Sequence, residues 1–597
     1  MRKRWLVMIG AVVLAAGGAA AVKLPGPVHD ALRGLKYRAE FAAWVRGLPA
    51  KRLADVMVPM PDGIKLATDI YLPEDGPARK PAILVRLPYG KDGYPEARHW
   101  VSLFTPHGYA VVVQDMRGRF GSQGVFAPYP HAASDGAATL DWIAAQGWSD
   151  GQVGTIGCSA LGESQVILAA ARPKQLKAMV PIGAGGAIGT AGGVYGYFGM
   201  FEGGIPELAS AYGWFARWGG KTGDRMDAPP IDYARGLATL PLRDAIARAR
   251  PDPTDFEAML DGFDQPGFGA HTGFIGDDAR FATPALMVDN WYDQSVSSTL
   301  VLSKLMRRSA PDQHVLIGPG GHCDSTGPFS AGHVGDMAVK GRPQPYDRLY
   351  LGFMDARLKD APPKGPGKLP PYRFYVLGED VWRDAESWPP AAARQVTYRL
   401  AGDGLSRAGA SAGARSLTSD PMDPVPTLGG AICCTGDPAT RDGPLDQRPV
   451  EARADVLSYS SAPLQVPLRI AGPISARLTV STDVPDTDLV ARLTDVAPDG
   501  TSLMIQEGAL RLRYRDGFAD PKLMQPGQSY TVTIRLRDIA WLVRPGHRLR
   551  LDIAGSSYPR LARNLNGGGD PNRETVPHKA RITIAAPSEL TLYDLPE

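Results

Sequence analysis

The sequence predicts a molecule in two parts: a parallel α/β sheet with helices on both faces, followed by an all-β domain. Between residues 54 and 361, short uninterrupted runs of β-forming residues alternate with helical patterns, which is typical of a buried parallel sheet. After residue 368 the chain changes to many short strands in which polar and apolar residues alternate. With 597 residues, the chain is also too long for one hydrophobic core.

The α/β part is predicted from strands that are apolar throughout, as expected when helices cover both faces of a sheet. A helix is predicted from Ser134 to Ala145, with Ser134 as its N-cap and with Leu140 and Ile143 on one face. Residues 54–182 and 282–361 are assigned to this catalytic part. The predicted strands contain Ala82–Val85, Ala110–Val113, Val153–Ile156, Ala178–Val180, Ala285–Val288 and Val315–Ile317.

The alternation of strands and helices breaks between residues 183 and 281. This stretch is rich in glycine, alanine and aromatic residues, and it shows no clear strand pattern. Because it falls between two predicted strands, we expect a largely helical cap inserted over the carboxyl edge of the sheet. Its aromatic content argues against a disordered insertion. The aromatic residues include Tyr195, Tyr197, Phe198, Phe201, Trp214, Phe215 and Trp218.

A β-sandwich of the jelly-roll type is predicted for residues 368–597. Short strands at regular spacing are typical of this architecture. Pro362–Gly367 has the composition of a linker in front of it, and Pro498–Gly500 supplies a turn between two strands. Four of the predicted strands contain Ala476–Val480, Leu489–Leu493, Tyr530–Ile534 and Arg548–Leu551.

The N-terminus has the pattern of an export signal. Met1–Arg4 is positive, the uncharged run Trp5–Val22 follows, and Ala19–Ala21 fits a cleavage site. Residues 1–22 are therefore predicted to be a signal peptide, and residues 23–53 an N-terminal segment. An uncleaved membrane anchor is the alternative, because the apolar run is near the lower limit for crossing a bilayer. Either way, the bulk of the protein is expected in the periplasm or outside the cell.

Composition and charge exclude several classes of protein. The net charge is +3 and no basic block occurs beyond the N-terminus, so nucleic acid is not an expected partner. No histidine cluster has metal-ligand spacing and no glycine-rich loop resembles a phosphate cradle, so neither metal nor cofactor is expected. Four cysteines in a chain of this length do not predict a disulfide framework. The sequence leaves open whether the chain forms a homo-oligomer.

A serine between glycines is the most informative motif. Gly157–Gly162 reads Gly-Cys-Ser-Ala-Leu-Gly and lies where a predicted strand meets a predicted helix. Small residues on both sides of Ser159 allow the sharp turn that exposes a nucleophilic hydroxyl. Cys158 is a poor alternative nucleophile, since its flanking position points its thiol away from the apex of the turn.

Asp293 and His322 complete a candidate catalytic triad. Each follows or closes a predicted strand, so a parallel sheet would bring both to the edge where Ser159 lies. The order serine, acid, histidine is that of an α/β-hydrolase. His322 would take the proton of Ser159, and Asp293 would orient and stabilise the imidazole. The alternatives are a helix N-cap for Asp293 and a loop histidine for His322, while His314 is a poorer base because it leads into a strand.

Two hydrogen-bond donors are expected for the oxyanion of an acyl-transfer reaction. The backbone N–H of Ala160 directly follows the nucleophile and is the first candidate. Tyr89 lies in the loop after the strand that ends at Leu87, and its hydroxyl is the second candidate. On position alone, a structural tyrosine explains Tyr89 nearly as well.

Several segments together resemble one known family. They are Arg86–Lys91, Gln114–Gly124, Gly157–Gly162, Trp291–Asp293, Trp382–Arg383, Trp388–Pro390, Asp455–Leu457 and Gly546–Arg550. The ordered set resembles the cocaine esterase and Xaa-Pro dipeptidyl-peptidase family of serine hydrolases, which includes the α-amino acid ester hydrolases. The resemblance covers nearly all of the chain after the N-terminal segment.

The resemblance implies an α/β-hydrolase fold with a cap, followed by a jelly roll. It implies that Ser159, Asp293 and His322 form the triad, and that Tyr89 and the Ala160 amide form the oxyanion hole. The chain departs from the family pattern at Ala160, where tyrosine is usual, so the identity of the substrate is not carried over.

Two further pairs of residues are interpreted as structural. Asp115 and Arg117 match a family motif, and an ion pair or a turn anchor explains them better than catalysis does. Cys433 and Cys434 either close a vicinal disulfide or are two buried thiols, and neither state is expected to bear on the reaction.

The leading hypothesis is a metal-free serine hydrolase that cleaves a small carboxylic ester, or an amide, through an acyl-serine intermediate. The alternative within the same chemistry is an Xaa-Pro dipeptidyl-peptidase or another N-terminal-dipeptide peptidase. That activity needs carboxylates to hold a substrate ammonium, and Glu163, Glu202 and Glu207 are the candidates. A third hypothesis is a non-catalytic protein that binds a glycan or a surface through its jelly roll.

Overall fold

The computed structural model describes residues 36, 39–221, 231–250, 253–264, 272–326, 332–359, 369–437 and 439–597. The predicted signal peptide and the predicted linker lie outside these residues. Residues 39–46 are helical, and the described residues from Pro49 onward belong to one compact unit. None of the helices in the described ranges has the length and apolar character needed to span a bilayer.

Residues 50–182 form six strands and three helices. The strands are β1 (Ala50–Pro59), β2 (Lys65–Pro73), β3 (Lys80–Leu87), β4 (Ala110–Asp115), β5 (Ser149–Cys158) and β6 (Leu176–Ile182). The helices are α1 (Pro95–Phe104), α2 (Ala132–Ala144) and α3 (Ala160–Ala170). Every residue of β3 and β4 is buried, as predicted for strands covered on both faces.

The start of α2 differs from the prediction. The helix begins at Ala132 with His131 at its N-cap, and Ser134 lies in its first turn, where its hydroxyl donates to the His131 carbonyl at 3.3 Å. Ala132 and Ala133 have high helix propensity and extend the helix toward its N-terminus, so the capping role assigned to Ser134 is wrong. Leu140 and Ile143 are buried, as predicted.

Residues 183–281 contain four short strands and four helices in the described ranges. They are β7 (Thr190–Ala191), β8 (Val194–Tyr195), β9 (Phe201–Glu202), β10 (Ile205–Pro206), α4 (Leu208–Trp218), α5 (Tyr233–Leu237), α6 (Ala245–Ala249) and α7 (Phe256–Gly262). Nine of the eleven residues of α4 are buried, so this helix contacts other elements on nearly all sides. Residues 183–281 are called the insertion below.

Residues 285–385 complete the first sheet. The strands are β11 (Ala285–Tyr292), β12 (Gln313–Gly321), β13 (His333–Val334), β14 (Met337–Ala338), β15 (Tyr372–Val376) and β16 (Val381–Ala385), and the helices are α8 (Val296–Arg307) and α9 (Tyr346–Leu358). The strand order of the first sheet is β1-β2-β4-β3-β5-β6-β11-β12-β15-β16, and β13 and β14 form a separate two-stranded sheet. The strands from β4 to β15 in this order are parallel, and antiparallel strands flank them at both edges.

The parallel strands place the candidate site. The chain leaves β3 for β4 on one side and returns to β5 on the other, so the strand order reverses at β3. Ligands of open α/β sheets bind outside the carboxyl ends of the strands next to such a reversal. Tyr89 follows the end of β3 and Ser159 follows the end of β5.

A second large sheet follows from residue 394. Its strands are β17 (Arg394–Ala401), β18 (Gly404–Ser406), β19 (Ala414–Ser419), β20 (Leu457–Ser460), β21 (Leu468–Thr482), β22 (Asp488–Val496), β23 (Ser502–Arg511), β24 (Tyr530–Val543), β25 (Arg548–Ala554) and β26 (Ala580–Asp594), with one short helix, α10 (Arg448–Glu451). Their order is β23-β22-β25-β20-β18-β17-β26-β21-β24, and β19 pairs with β26. The predicted turn at Pro498–Gly500 joins β22 to β23, with Gly500 at φ 88°.

The second sheet curls until its two ends meet. A Cβ built on Gly508 of β23 would lie 2.2 Å from the carbonyl oxygen of Arg535 in β24, so only glycine permits this approach of the two backbones. In β24, buried Val532, Ile534 and Leu536 alternate with exposed residues, as predicted for a half-buried strand. This C-terminal part is a mostly β domain with a nearly closed sheet.

Candidate active site

Ser159 occupies a sharp turn between β5 and α3. Its backbone has φ 59° and ψ −129°, a conformation that few residues other than glycine adopt. A Cβ on Gly157 would lie 2.5 Å from Cβ of Leu161, and a Cβ on Gly162 would lie 2.8 Å from the Gly157 carbonyl oxygen. The turn therefore requires the small residues that the sequence places on both sides of the serine.

His322 and Asp293 form a short hydrogen bond at the ends of β12 and β11. Nδ1 of His322 lies 2.5 Å from Oδ2 of Asp293, whose side chain is fully buried. Burial alone would raise the pKa of Asp293, but His322 and the hydrogen bonds from Ser295 lower it to about 2. For His322, burial would lower the pKa, but the opposing effect of Asp293 is larger and raises the pKa above its usual value. The carboxylate therefore stays ionised and stabilises a positive imidazole.

Ser295 and Asp289 both interact with the Asp293 carboxylate. The backbone N–H and the hydroxyl of Ser295 donate to Oδ1 of Asp293 at 2.8 Å and 2.7 Å. Ser295, not Asp293, is the N-cap of α8. Burial and the neighbouring Asp293 raise the pKa of Asp289, which favours its protonated form beside the ionised Asp293. The Thr299 hydroxyl donates to Asp289 at 2.5 Å.

Ser159 and His322 line the same cavity. Nε2 of His322 is buried and has no hydrogen-bond partner among the described residues, while Nδ1 is occupied by Asp293. The cavity is lined by Ser159, Glu163, Phe198, Gly199, Met200, Trp214, Gln294, Ser295, His322, Cys433 and Cys434. Nε2 is thus the free basic atom of the pair at the cavity that contains the serine.

Tyr89 lies beside the serine with its hydroxyl held by Trp214. The indole Nε1–H of Trp214 donates to Oη of Tyr89 at 3.0 Å, and the Ser159 side chain is within hydrogen-bond reach of the same hydroxyl. Burial raises the pKa of Tyr89 well above its usual range, so the phenol keeps its proton. The N–H of Ala160 is the first of α3, and the N–H groups of a first helical turn have no acceptor within the helix.

The loop after β3 is anchored by buried charges. Asp115 accepts the backbone N–H of Lys91 at 2.7 Å, and the Lys91 ammonium lies 3.1 Å from Asp69. Arg117 instead pairs with Asp135, whose Oδ2 lies 3.0 Å from its Nε. Asp115 and Arg117 are therefore structural, as interpreted from the sequence, but each acts through its own partner.

A group of three carboxylates in this region resembles a cation site. Asp55, Asp69 and Asp92 bring their oxygens within 4.8 Å of one another. The ammonium of Lys91 lies 2.7 Å from Asp55, 3.1 Å from Asp69 and 3.0 Å from Asp92. The lysine therefore already pairs with all three carboxylates, and Arg52 pairs with Asp69 and Asp92 as well.

The three carboxylates considered for an ammonium do not converge. Glu163 lines the cavity, where burial raises its pKa to about 8 although the Tyr129 hydroxyl donates to it. Glu202 and Glu207 lie together elsewhere, and both accept hydrogen bonds from Arg560. Arg537 also donates to Glu207 at 2.7 Å, so the charges of this pair are already satisfied by arginine.

All four cysteines form disulfides, and both disulfides lie at the candidate site. Cys158, directly before Ser159, is bonded to Cys323, directly after His322. Cys433 is bonded to its neighbour Cys434, and both line the cavity. The expectation that the cysteines form no disulfide framework is therefore wrong, while the expectation that Cys433 and Cys434 do not bear on the reaction stays a prediction. Folding brings together cysteines that are 165 residues apart in the sequence, which spacing alone does not reveal.

Comparison with known proteins identifies the family. A model described as X-Pro dipeptidyl-peptidase (S15 family) matches residues 62–324, and a model of the X-Pro dipeptidyl-peptidase C-terminal non-catalytic domain matches residues 365–590. Cocaine esterase from Rhodococcus sp. (strain MB1 Bresler) is 34% identical over 554 residues, which cover 88% of this chain and 94% of the esterase. The chain belongs to the S15 family of serine hydrolases.

Two solved structures share the fold of this S15 hydrolase. An aminopeptidase from a marine sediment Thaumarchaeota archaeon has a TM-score of 0.79 at 24% identity, covering 92% of this chain and 97% of its own. An α-amino acid ester hydrolase has a TM-score of 0.75 at 24% identity, covering 91% and 96%. The predicted fold class and the family resemblance are thereby confirmed.

Sequence reasoning missed several residues around the site of this S15 hydrolase. Trp214 was noted only as an aromatic residue of the insertion, and nothing in its position predicts a bond to Tyr89. Asp289 lies within a strand, four residues before Asp293. An acidic residue in an apolar strand indicates a buried carboxylate, but it does not indicate that this carboxylate contacts Asp293. Glu96 accepts the backbone N–H of Cys158 at 2.7 Å. A cysteine next to each of two candidate catalytic residues was the available signal for the disulfide.

Proposed function

We propose that this S15 hydrolase cleaves carboxylic esters through an acyl-enzyme on Ser159. One observation carries the proposal: the buried Asp293–His322 pair leaves Nε2 as its free basic atom at the cavity that Ser159 lines. An imidazole oriented by a buried carboxylate is the arrangement that activates a serine hydroxyl.

The proposed reaction has two steps. Nε2 of His322 takes the proton of Ser159 while Oγ attacks the ester carbonyl, and the resulting imidazolium then protonates the leaving alcohol. Water hydrolyses the acyl-serine with the same histidine as base. The N–H of Ala160 and the hydroxyl of Tyr89 stabilise the oxyanion in both steps. Asp293 holds the imidazole and stabilises its positive form.

The carboxylates near the cavity support an ester over an N-terminal dipeptide. Recognition of a dipeptide requires an ionised carboxylate for its ammonium group. Glu202 and Glu207 are bound by Arg537 and Arg560, and a pKa of about 8 leaves Glu163 mostly neutral near pH 7. Within this set, no free carboxylate is available to bind a cationic substrate.

A labelling experiment tests the nucleophile. A fluorophosphonate probe is expected to label the wild type at Ser159, and the Ser159→Ala variant is expected to lose both labelling and ester turnover. Ser134→Ala removes an exposed serine hydroxyl of α2 and serves as the matched control. Equal labelling of wild type and Ser159→Ala would refute the assignment.

A substrate comparison tests the reaction. A panel of short acyl esters is expected to be turned over faster than a dipeptidyl-proline anilide. The opposite order would establish a dipeptidyl-peptidase instead. Retention on polysaccharide without turnover of any ester would favour the non-catalytic binding protein.

We also propose that the protein is exported. The charged start, the apolar run and the small residues of positions 1–22 fit a signal peptide. The two disulfides fit an oxidising compartment, since thiols stay reduced in the cytosol. N-terminal sequencing of the protein from its host is expected to start after residue 21, and a start at Met1 would contradict cleavage.

A further inference from the structure

The Cys158–Cys323 disulfide connects the two strands that carry the candidate nucleophile and base. Cys158 ends β5 directly before Ser159, and Cys323 directly follows His322 beyond β12. Two other strands, β6 and β11, lie between β5 and β12 in the sheet. No ladder hydrogen bonds therefore join β5 to β12, and the disulfide is a direct covalent link between the two loops.

The disulfide also lies directly against the Asp293–His322 pair. A Cβ built on Gly183 would lie 3.2 Å from Sγ of Cys158. The same atom would lie 2.9 Å from Oδ2 of Asp293 and 3.2 Å from Cε1 of His322. Sulfur, carboxylate and imidazole therefore surround one point of the backbone. Cys158 is fully buried there.

Hydrogen bonding holds the His322 ring at one nitrogen only. Only Nδ1 is bonded, to Asp293, while Nε2 has no partner among the described residues. A ring held by one hydrogen bond can rotate about that bond, which would move Nε2 relative to Ser159. A covalent link through the next residue, Cys323, restricts the backbone that carries the ring.

We propose that the Cys158–Cys323 disulfide is a positioning element that sets the distance between His322 Nε2 and Ser159 Oγ, an inference that rests on the function proposed above. Reduction by a dithiol breaks the S–S bond, gives two thiols, and oxidises the dithiol to its cyclic disulfide. The two loops then move independently. Because a misplacement of about 1 Å can lower a rate by about 100-fold, the loss falls on the chemical step.

The test uses a parent variant in which Cys158–Cys323 is the only disulfide. In the full-length Cys433→Ser/Cys434→Ser parent, ester turnover and the rate of fluorophosphonate labelling are measured before reduction, after reduction with dithiothreitol, and after reoxidation with oxidised glutathione. Alkylation and mass spectrometry establish the state of both cysteines. Circular dichroism in the near ultraviolet follows the tertiary structure in each state.

Reduction is expected to lower kcat and the labelling rate by about 10- to 100-fold with little change in KM, and reoxidation to restore both. Adding Cys158→Ser and Cys323→Ser to the same parent is expected to give the low kcat without any response to reductant. An unchanged kcat after complete reduction would overturn the proposal. A loss of rate that coincides with loss of the near-ultraviolet signal would overturn it as well, since the disulfide would then stabilise the whole fold.

These outcomes differ from a failure of the proposed function. If the wild type turns over no ester and reacts with no probe, the function itself fails. If the oxidised parent is active and insensitive to reduction, only the positioning role fails.

Discussion

Trp214 determines what the hydroxyl of Tyr89 can do. A phenol has one proton to donate and two lone pairs, and the indole N–H of Trp214, which can only donate, occupies a lone pair at 3.0 Å. The proton of Tyr89 therefore remains available for an acceptor at the Ser159 side. Burial raises the pKa of Tyr89 above its usual value, so this proton is kept at neutral pH. The contact with Trp214 is therefore compatible with the donor role proposed for Tyr89.

Tyr89→Phe is expected to lower kcat by about 100- to 1000-fold, the effect of removing one oxyanion donor. KM for a short acyl ester is expected to change little, because the bond strengthens only as the oxyanion forms. Steady-state kinetics measure both values. Tyr94→Phe removes a hydroxyl from the neighbouring, partly buried ring, 4.8 Å away between centroids, and is the matched control. A kcat for Tyr89→Phe equal to that of Tyr94→Phe would contradict the donor role.

The loop after β6 separates the elements that carry the site. In the sheet, β6 lies between β5, which precedes Ser159, and β11, which precedes Asp293. Gly183 follows β6 directly and has φ 53°. The absence of a side chain there lets the Asp293 carboxylate, the His322 ring and the Cys158 sulfur all approach this residue. The loop after β6 therefore depends on a residue with no Cβ.

Gly183→Ala is expected to lower kcat by about 10- to 100-fold, because the new methyl group pushes His322 and Asp293 out of place. The same substitution at Gly500 is the control for backbone strain alone: Gly500 also has a positive φ, 88°, and a Cβ there meets no atom within 4 Å. Steady-state kinetics and thermal melting of both variants are compared. An equal kcat for the two variants would show that the contact at Gly183 is unimportant.

At the scale of the whole molecule, buried ion pairs connect the insertion to the C-terminal sheet. Arg560 donates to Glu207 of the insertion at 2.8 Å and to Glu507 of β23 at 2.6 Å, and it also pairs with Glu202. The Arg560 side chain is 1% exposed. Desolvation makes such charges unfavourable in isolation, so each carboxylate depends on its arginine. These contacts hold an insertion that carries Trp214 against the C-terminal domain.

Arg560→Met is expected to destabilise the protein by about 3–5 kcal/mol, since it removes a positive charge that three buried carboxylates share. Only Arg537 then remains for Glu202 and Glu207, and Arg492 for Glu507. The pKa values of the three carboxylates then rise in the folded state. When the pKa of a carboxyl is higher in the folded than in the unfolded state, the free energy of unfolding falls as the pH rises above the unfolded pKa. The loss of stability in Arg560→Met is therefore expected to be larger at pH 8 than at pH 5. Denaturant unfolding at both pH values measures it.

The control for this effect is a pair at the surface. Arg373→Met removes the partner of the half-exposed Asp384, 2.7 Å away, and is expected to change stability by about 1 kcal/mol or less. A deficit for Arg560→Met no larger than that of Arg373→Met would contradict the role of the buried network.

The predictions that succeeded depend on local pattern. The apolar runs predicted the central strands because a strand covered on both faces must be apolar along its length, and β3 and β4 are buried throughout. The glycines around Ser159 predicted the turn because the steric limit on such a turn is local. The N-cap of α2 failed for a local reason as well, since the alanines before Ser134 extend the helix.

The sequence by itself determined the alternation of strands and helices in the α/β part, the sharp turn at Ser159, and the carboxyl-end placement of Asp293 and His322. These follow from steric limits and hydrophobic periodicity, which act between residues close in the chain. Only the tertiary structure decided the partners: Cys323 for Cys158, Trp214 for Tyr89, and the arginines that occupy Glu202 and Glu207. Pairings over such distances depend on how the sheet, the insertion and the C-terminal domain pack, and no single segment encodes that packing.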